Sequence, residues 1–404
     1  MQDINKISIR KDVQDVVVYI NDLFDTAIEK NFSDIHIETT KDFLFIRCRK
    51  DGDFEIYDKV SLEHLSTIVT RLKVLAKVKI DENKKPQDGK IVYTSEKAGE
   101  TIDIRASTLP TIYGEKVVMR VLRQNDSLIN LKSIGLFQNN LEKVENVLKS
   151  KYGIILVAGP TGSGKSTTLF SILKNFNPLE YNISTLEDPV EYNIDYVNQS
   201  QIKPEIGYTF ASGLRSLVRQ DPDIIMVGEI RDKETALLSI EAALTGHLVL
   251  STIHTNSASA TVQRLINMGI EPFLITSSVK MIISQRLVKR ICSNCKKEEN
   301  INENVREKIK KELQDIMEQD EINNLTFYKG IGCEKCNNTG YTGRQGVHEV
   351  LVLGEYLEKD ILNMSPASEI HKIAVKEGMI TILQDAILKA AMGETTLDEA
   401  FKLI

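Results

Sequence analysis

The residues with the clearest chemistry form a glycine-rich loop near the middle of the chain. The loop matches G-x-x-x-x-G-K-[ST], follows an apolar strand predicted at residues 154–158 and precedes a helix predicted at residues 166–174. Glycines let backbone N–H groups turn toward phosphate oxygens, and the start of a helix adds partial positive charge. We therefore expect ATP or GTP to bind here, through the consecutive residues Gly159, Pro160, Thr161, Gly162, Ser163, Gly164, Lys165, Ser166 and Thr167.

Two side chains of this loop are expected to act on the nucleotide directly. Lys165 supplies a positive charge to the β and γ phosphates, and the Ser166 hydroxyl is a ligand for Mg²⁺. The alternative is a glycine-rich turn without a ligand. Because strand, loop, Lys–Ser pair and helix occur in the order that the motif requires, the nucleotide site is the stronger interpretation.

Two acidic residues follow predicted buried strands and are candidates for activating a water molecule. Glu229 ends the apolar run 224–227, although Gly228 stands where a Walker B aspartate is usual. Glu187 follows a similar run at 183–186. We predict in-line attack of water on the γ-phosphate, with Glu229 as the base and Glu187 as the alternative. The sequence leaves that assignment open.

Two histidines flank the strand predicted at residues 248–253. His247 precedes it and His254 follows it, so the two side chains lie at opposite ends. A histidine in such a place is more often structural than catalytic. Both are candidates for sensing the γ-phosphate.

Four of the five cysteines form two C-x-x-C pairs, and the fifth, Cys48, lies in an apolar strand and is expected in the core. Paired cysteines in a chain without an export signal predict a metal site rather than disulfides. Four thiolates close a tetrahedral Zn²⁺ site and leave no open position, so the site would be structural. The predicted ligands are Cys292, Cys295, Cys333 and Cys336.

The overall composition restricts the classes of function. The net charge of −6 argues against a general nucleic-acid binder. No apolar run approaches the ~20 residues that a membrane-spanning helix needs, and no signal peptide is recognisable. These features predict a cytoplasmic protein.

The 404 residues exceed what a single core usually organises, so several domains are expected. Helical and strand patterns alternate throughout, which predicts an α/β fold with a parallel sheet covered on both faces. The predicted organisation is an N-terminal α/β domain (1–122), a linker (123–135), a nucleotide-binding core (136–290), a four-cysteine zinc subdomain (291–345) and a helical C-terminal region (346–404).

Four segments together resemble the secretion ATPase superfamily of type II secretion and type IV pili. They read GPTGSGKS, TLEDPVEY, LVRQDPDIIMVGEIRD and ALTGHLVLSTIHTN, and occur in the family's order. The resemblance covers roughly residues 15–404, and Gly–Glu in the Walker B segment is usual in this family. It implies a RecA-like core, a PAS-like N-terminal domain, ATP as the nucleotide, and a ring hexamer whose domain movements act on an inner-membrane platform protein.

The resemblance also gives a role to two arginines of the N-terminal domain. Arg105 in IRASTLP and Arg120 in VMRVL look like the family's arginine-bearing strands, which contact phosphate. The four-cysteine insertion resembles assembly and secretion ATPases more than retraction ATPases. It therefore implies a type IV pilus assembly ATPase, held peripherally at the inner face of the membrane and without nucleic acid as a partner.

Three alternatives remain open at this point: a type II secretion ATPase (general secretory pathway protein E), a ring nucleic-acid translocase, and a nucleotide-binding scaffold without turnover. Only about 15 residues precede the first domain, so the additional N-terminal domain of many assembly ATPases is expected to be absent.

Overall fold

The computed structural model describes residues 7–122 and 130–403. The chain divides into two compact units, Met1–Asn125 and Asp126–Ile404. Residues 123–129 of the predicted linker (123–135) lie outside the described residues. Residues 130–135 form a turn, and Leu131 in this turn is buried in the core of the second unit.

The first unit is an antiparallel sheet with two helices. Its strands are arranged in the order β3-β2-β1-β6-β5-β4. Asp51 and Gly52, both with positive φ, form the hairpin turn between β2 and β3. The elements are α1 (Val16–Glu29), β1 (Asp34–Thr39), β2 (Leu44–Lys50), β3 (Asp53–Val60), α2 (Leu65–Ala76), β4 (Gln87–Ser95), β5 (Glu100–Thr111) and β6 (Gly114–Leu122).

Both helices bury apolar residues against the inward-facing residues of this sheet. Leu23 and Phe24 of α1 and Leu72 of α2 share one core with Ile35 and Ile104. Because side chains alternate along a strand, the residues between the buried ones lie on the opposite face of the sheet.

The second unit begins with alternating helices and strands. They are α3 (Gln138–Val147), β7 (Gly153–Ala158), α4 (Lys165–Leu173), β8 (Ile183–Glu187), β9 (Asn198–Gln201), α5 (Phe210–Leu217), β10 (Ile224–Val227), α6 (Lys233–Leu244), β11 (Leu248–Ile253), α7 (Ala258–Asn267), α8 (Pro272–Ser278) and β12 (Val279–Ile291).

The rest of the chain adds an insertion, one more long strand and the C-terminal helices. These elements are β13 (Lys296–Glu299), α9 (Glu303–Leu313), α10 (Gln319–Asn323), β14 (Phe327–Gly330), β15 (Tyr341–Val352), α11 (Glu355–Leu362), α12 (Ala367–Lys376), α13 (Ile382–Ala391) and α14 (Leu397–Phe401).

The central sheet of the second unit has the order β15-β12-β7-β11-β10-β8-β9. Its strands are parallel except for β15, which pairs antiparallel with β12. Every residue of β7, β8, β10 and β11 is buried, as expected for parallel strands covered on both faces. The α/β class and the parallel sheet predicted from the sequence are therefore confirmed.

One predicted boundary was wrong. Residues 346–352 were assigned to the helical C-terminal region, but they complete β15, which begins at Tyr341 and forms an edge of the central sheet. The helices follow from Glu355. The four-cysteine segment is thus an insertion between two paired strands, β12 and β15, and its helix α9 buries Ile309 and Leu313 in a core shared with α13.

Among the described residues, no helix combines the length and the apolar character that crossing a membrane requires.

Candidate active site

The glycine-rich loop connects the carboxyl end of β7 to α4, which begins at Lys165. Gly164 at the helix N-cap has φ 87°, and no side chain caps the helix. The hydroxyl of Ser163 is buried and has no hydrogen-bond partner among the described residues. Uncapped N–H groups and a buried hydroxyl without a partner fit an anion such as a phosphate.

Lys165 lies over this loop. Its Nζ donates hydrogen bonds to the carbonyl oxygens of Gly159 and Pro160, both at 3.0 Å. Partial burial lowers the pKa of Lys165, while the carboxylate of Glu229 acts in the opposite direction. The ammonium group is therefore positioned to exchange these carbonyl oxygens for phosphate oxygens.

Glu229 lies just beyond the carboxyl end of β10 because the preceding residue is fixed on both sides. The N–H of Gly228 donates to the Leu186 oxygen at 2.8 Å, and its oxygen accepts from the Thr252 hydroxyl at 2.8 Å. A Cβ at position 228 would come within 3.2 Å of the Leu186 oxygen. A side chain at position 228 would therefore crowd the Leu186 oxygen. Glu229 supplies the acidic side chain at the end of this strand.

The structure brings Glu229, His254 and Lys165 into one electrostatic cluster. The Nε2 of His254 lies 3.6 Å from a carboxylate oxygen of Glu229. Burial lowers the pKa of His254, and the positive charge of Lys165 lowers it further. The neutral form of the His254 imidazole is therefore favoured.

Arg231 belongs to this cluster and was not among the residues selected from the sequence. Its guanidinium forms a salt bridge with the Glu229 carboxylate. The signal was available in the sequence, because Arg231 follows Glu229 by two positions in the segment GEIRD.

Glu187 has different surroundings. It ends β8, is only 3% exposed, and burial raises the pKa of its carboxyl group. One carboxylate oxygen accepts hydrogen bonds from Thr185 at 2.7 Å and from Gln199 at 2.9 Å, and the other accepts from the N–H of Glu191 at 3.4 Å. Its acceptor sites thus tie β8 to β9 and to the following turn.

The prediction that His247 contacts the nucleotide at the phosphate loop of its own chain was wrong. His247 precedes β11, while His254 follows it. At about 3.3 Å per residue, the two histidines are ~23 Å apart. His247 instead contacts the end of α6, where its Nδ1 lies 2.8 Å from the Ala242 oxygen.

Arg105 and Arg120 are cross-strand neighbours on β5 and β6 of the first unit. Each alternates with buried residues, so both lie on the sheet face opposite the two helices. The Nε of Arg120 donates to a carboxylate oxygen of Asp34 at 3.2 Å.

The four predicted metal ligands converge. All four sulfur atoms lie within 4.8 Å of one another. Three of the separations, Cys292–Cys333, Cys295–Cys336 and Cys333–Cys336, are 3.8, 3.8 and 3.7 Å. A tetrahedron with Zn–S bonds of ~2.3 Å requires about 3.8 Å between sulfurs, so the cluster fits zinc.

Nearby donors favour the thiolate form at Cys336 and Cys333. The N–H of Gly340 donates to the Cys336 sulfur at 3.3 Å. The side chain of Asn294 donates to the Cys333 sulfur at 3.4 Å, and this hydrogen bond lowers the pKa of the Cys333 thiol. Cys48, by contrast, is buried in β2, where burial raises its pKa to about 12.

Comparison with known proteins identifies the family of this chain. The family model described as type II/IV secretion system protein matches residues 10–402. The type IV pilus assembly ATPase PilB of Thermus thermophilus is 42% identical over 94% of this chain, which spans only 42% of that protein's length. The type II secretion system ATPase E of Vibrio cholerae is 42% identical over 96% of this chain and 75% of its own.

Solved structures give the same fold. The pilus retraction motor PilT with bound ADP superposes with a TM-score of 0.64 and 25% identity, covering 95% of this chain and 96% of its own. The ATPase DotB of Legionella pneumophila has a TM-score of 0.70 at 22% identity, covering 98% of both chains, and so supports the fold alone. With its intact phosphate loop and acidic strand end, the chain belongs to the type II/IV secretion system protein family and is an ATP-hydrolysing enzyme of that family.

Proposed function

We propose that this chain is the hexameric motor ATPase that drives type IV pilus assembly from the inner face of the cell membrane. The observation that carries the proposal is the cluster of Lys165, Glu229 and His254 at the mouth of the phosphate loop, in a chain 42% identical to the PilB of Thermus thermophilus. The identity supports assembly work, and the cluster supplies the means of hydrolysing ATP for it.

The residues of this cluster divide the work of hydrolysis. Lys165 neutralises charge on the β and γ phosphates, and Glu229 orients or deprotonates the attacking water. The Ser166 hydroxyl would hold Mg²⁺, which would supply positive charge to the phosphates. His254, whose lowered pKa favours the neutral imidazole, can accept or donate a hydrogen bond beside the γ-phosphate without adding charge.

The cysteine cluster would hold one Zn²⁺ with a structural role. Four thiolates close the coordination shell, and the ion would hold the insertion between β12 and β15 in one conformation. The predicted partner of the assembled ring is a polytopic platform protein of the inner membrane.

A type II secretion motor is the second candidate, since the Vibrio cholerae relative is equally similar and this chain covers 75% of it. A chromosomal Lys165→Ala change in the native host separates the two. We expect electron microscopy to show loss of surface pili, with export of type II secretion substrates unchanged. Lys149→Ala is the matched control, since Lys149 is exposed and, within residues 7–122 and 130–403, its Nζ donates only to Asn146. Intact pili with blocked export would assign the chain to secretion, and an unchanged cell would contradict both functions.

A further inference from the structure

Gln285 of β12 lies beneath the phosphate loop and forms one hydrogen bond to the loop and one to α4. The residue is 2% exposed. Its Nε2 donates to the carbonyl oxygen of Ser163 at 2.5 Å, and its Oε1 accepts from the hydroxyl of Thr168 at 2.6 Å. One buried amide group therefore joins the end of the loop to the first turn of α4.

The loop also packs closely on Gln285. A Cβ at Gly159 would lie 2.7 Å from the Gln285 backbone oxygen, and one at Gly164 would lie 2.9 Å from its Nε2. Both glycines have positive φ, 155° and 87°. Two glycines of the motif are thus required by contact with Gln285 as well as by their own backbone conformation.

The hydrogen bond to Ser163 has a consequence for phosphate binding. A trans peptide is planar, so its C=O and its N–H point in opposite directions. Because Gln285 holds the Ser163 oxygen on the sheet side of the loop, the N–H of Gly164 in the same peptide is directed away from the sheet. An N–H group held in this orientation at the start of α4 can donate to a phosphate oxygen.

The neighbouring residue extends this connection toward His254. The guanidinium of Arg286 donates to the backbone oxygens of Gln285 and Asn256, both at 3.0 Å. Asn256 follows His254 by two positions. The middle of β12 therefore contacts both the phosphate loop, through Gln285, and the segment that follows His254, through Arg286.

We infer that Gln285 is a positioning residue, which presets the phosphate loop for nucleotide by fixing the orientation of the Ser163–Gly164 peptide. It acts through that peptide and does not touch the phosphates. The inference rests on the proposed function, because it assumes that nucleotide binds at this loop.

Three substitutions separate the two hydrogen bonds. Gln285→Glu keeps an acceptor for Thr168 but places an oxygen against the Ser163 carbonyl. Gln285→Leu removes both bonds at similar volume, and Thr168→Val removes only the bond to the helix. The readouts are the Kd of a non-hydrolysable ATP analogue with Mg²⁺, KM and kcat for ATP, and the Tm of the nucleotide-free protein.

We expect Gln285→Glu and Gln285→Leu to raise Kd and KM about tenfold, the scale of one buried hydrogen bond with its acceptor left unpaired. At saturating ATP, kcat should stay within about threefold of wild type, and Thr168→Val should leave Kd within about threefold. If both Gln285 variants lower Tm but leave Kd unchanged, Gln285 is structural and the inference is wrong.

Two controls make every outcome informative. Lys165→Ala should abolish analogue binding, so an unaffected Lys165→Ala refutes the nucleotide site itself. If Lys165→Ala no longer binds the analogue while the Gln285 variants bind it normally, only the positioning role of Gln285 is refuted. Gln285→Asn retains a buried amide that is one methylene too short for both bonds. If the larger changes prevent folding, an unchanged Kd in this variant contradicts the inference.

Discussion

Glu187 and Glu229 differ in surroundings, and this difference predicts opposite phenotypes for two matched substitutions. Glu187 is buried, and both of its carboxylate oxygens accept hydrogen bonds from within the chain. Glu229 is partly exposed beside Arg231 and His254. We expect Glu229→Gln to reduce turnover and Glu187→Gln to reduce stability.

The magnitudes follow from the contacts of each side chain. Glu229→Gln keeps the shape but removes the base, so kcat should fall by ~10² or more. Its effect on stability should stay below about 1 kcal/mol, because the Arg231 partner of Glu229 is largely exposed. In Glu187→Gln the amide oxygen can keep the bonds from Thr185 and Gln199, but the NH₂ group then faces the Glu191 N–H. A buried donor without an acceptor costs roughly 1–3 kcal/mol.

Steady-state phosphate release at saturating Mg-ATP measures kcat, and circular dichroism during heating measures Tm. The loss in Glu187→Gln should lower the Tm of the second unit by several degrees, at about 2–4 °C per kcal/mol. The assignment of the base is refuted if Glu187→Gln loses ~10² in kcat at unchanged Tm while Glu229→Gln turns over ATP normally.

Three further changes test other parts of the molecule. Elemental analysis should find roughly one zinc per chain, and Cys333→Ser should release it. Residues 290–345 should then exchange their amide hydrogens faster, while ATP binding persists. Acid should destabilise the second unit through His348, whose pKa burial holds well below 6.5. From pH 7.5 to 5.0 this residue should lower the free energy of unfolding by up to about 2 kcal/mol, measured by urea denaturation. Arg105→Ala should lower kcat more than it weakens ATP affinity. The reason is that a positive charge acting on the transferring phosphoryl group stabilises the transition state more than the bound nucleotide.

The sign of the acid effect follows from the protons bound in each state. Below pH 6.5 the unfolded chain protonates this histidine while the folded chain does not, so stability falls as pH falls. Burial raises the pKa of the neighbouring Asp385, which acts in the opposite direction. His348→Gln isolates the histidine, and an unchanged pH dependence in that variant contradicts the assignment. Zinc retained by Cys333→Ser contradicts the prediction about the cysteine cluster. Normal turnover by Arg105→Ala contradicts the prediction about that arginine.

Contiguous motifs were predictable because neighbours in sequence stay neighbours in the fold. The residues around Lys165 and the two cysteine pairs needed only a strand, a loop and a regular spacing. Strand periodicity also places His247 and His254 at opposite ends of β11, so the parallel sheet decides which of them reaches the loop.

Contacts between distant segments could not be derived in this way. Gln285 is 122 residues from Ser163 in the chain, and their contact exists because β12 pairs with β7 in the sheet. The same limit concealed the bond between Gln199 and Glu187, which depends on the pairing of β9 with β8. The return of β15 beside β12 likewise depends on long-range pairing, which the local pattern of residues 341–352 does not specify.

Hydrolysis of Mg-ATP by the purified chain, compared with Lys165→Ala, tests the central claim most directly. The account predicts Mg²⁺-dependent phosphate release by the wild type and turnover reduced to background in Lys165→Ala, because that variant lacks the positive charge on the β and γ phosphates. Lys149→Ala should behave like the wild type. Turnover by Lys165→Ala at the wild-type rate would contradict the claim that this loop is the site of ATP hydrolysis.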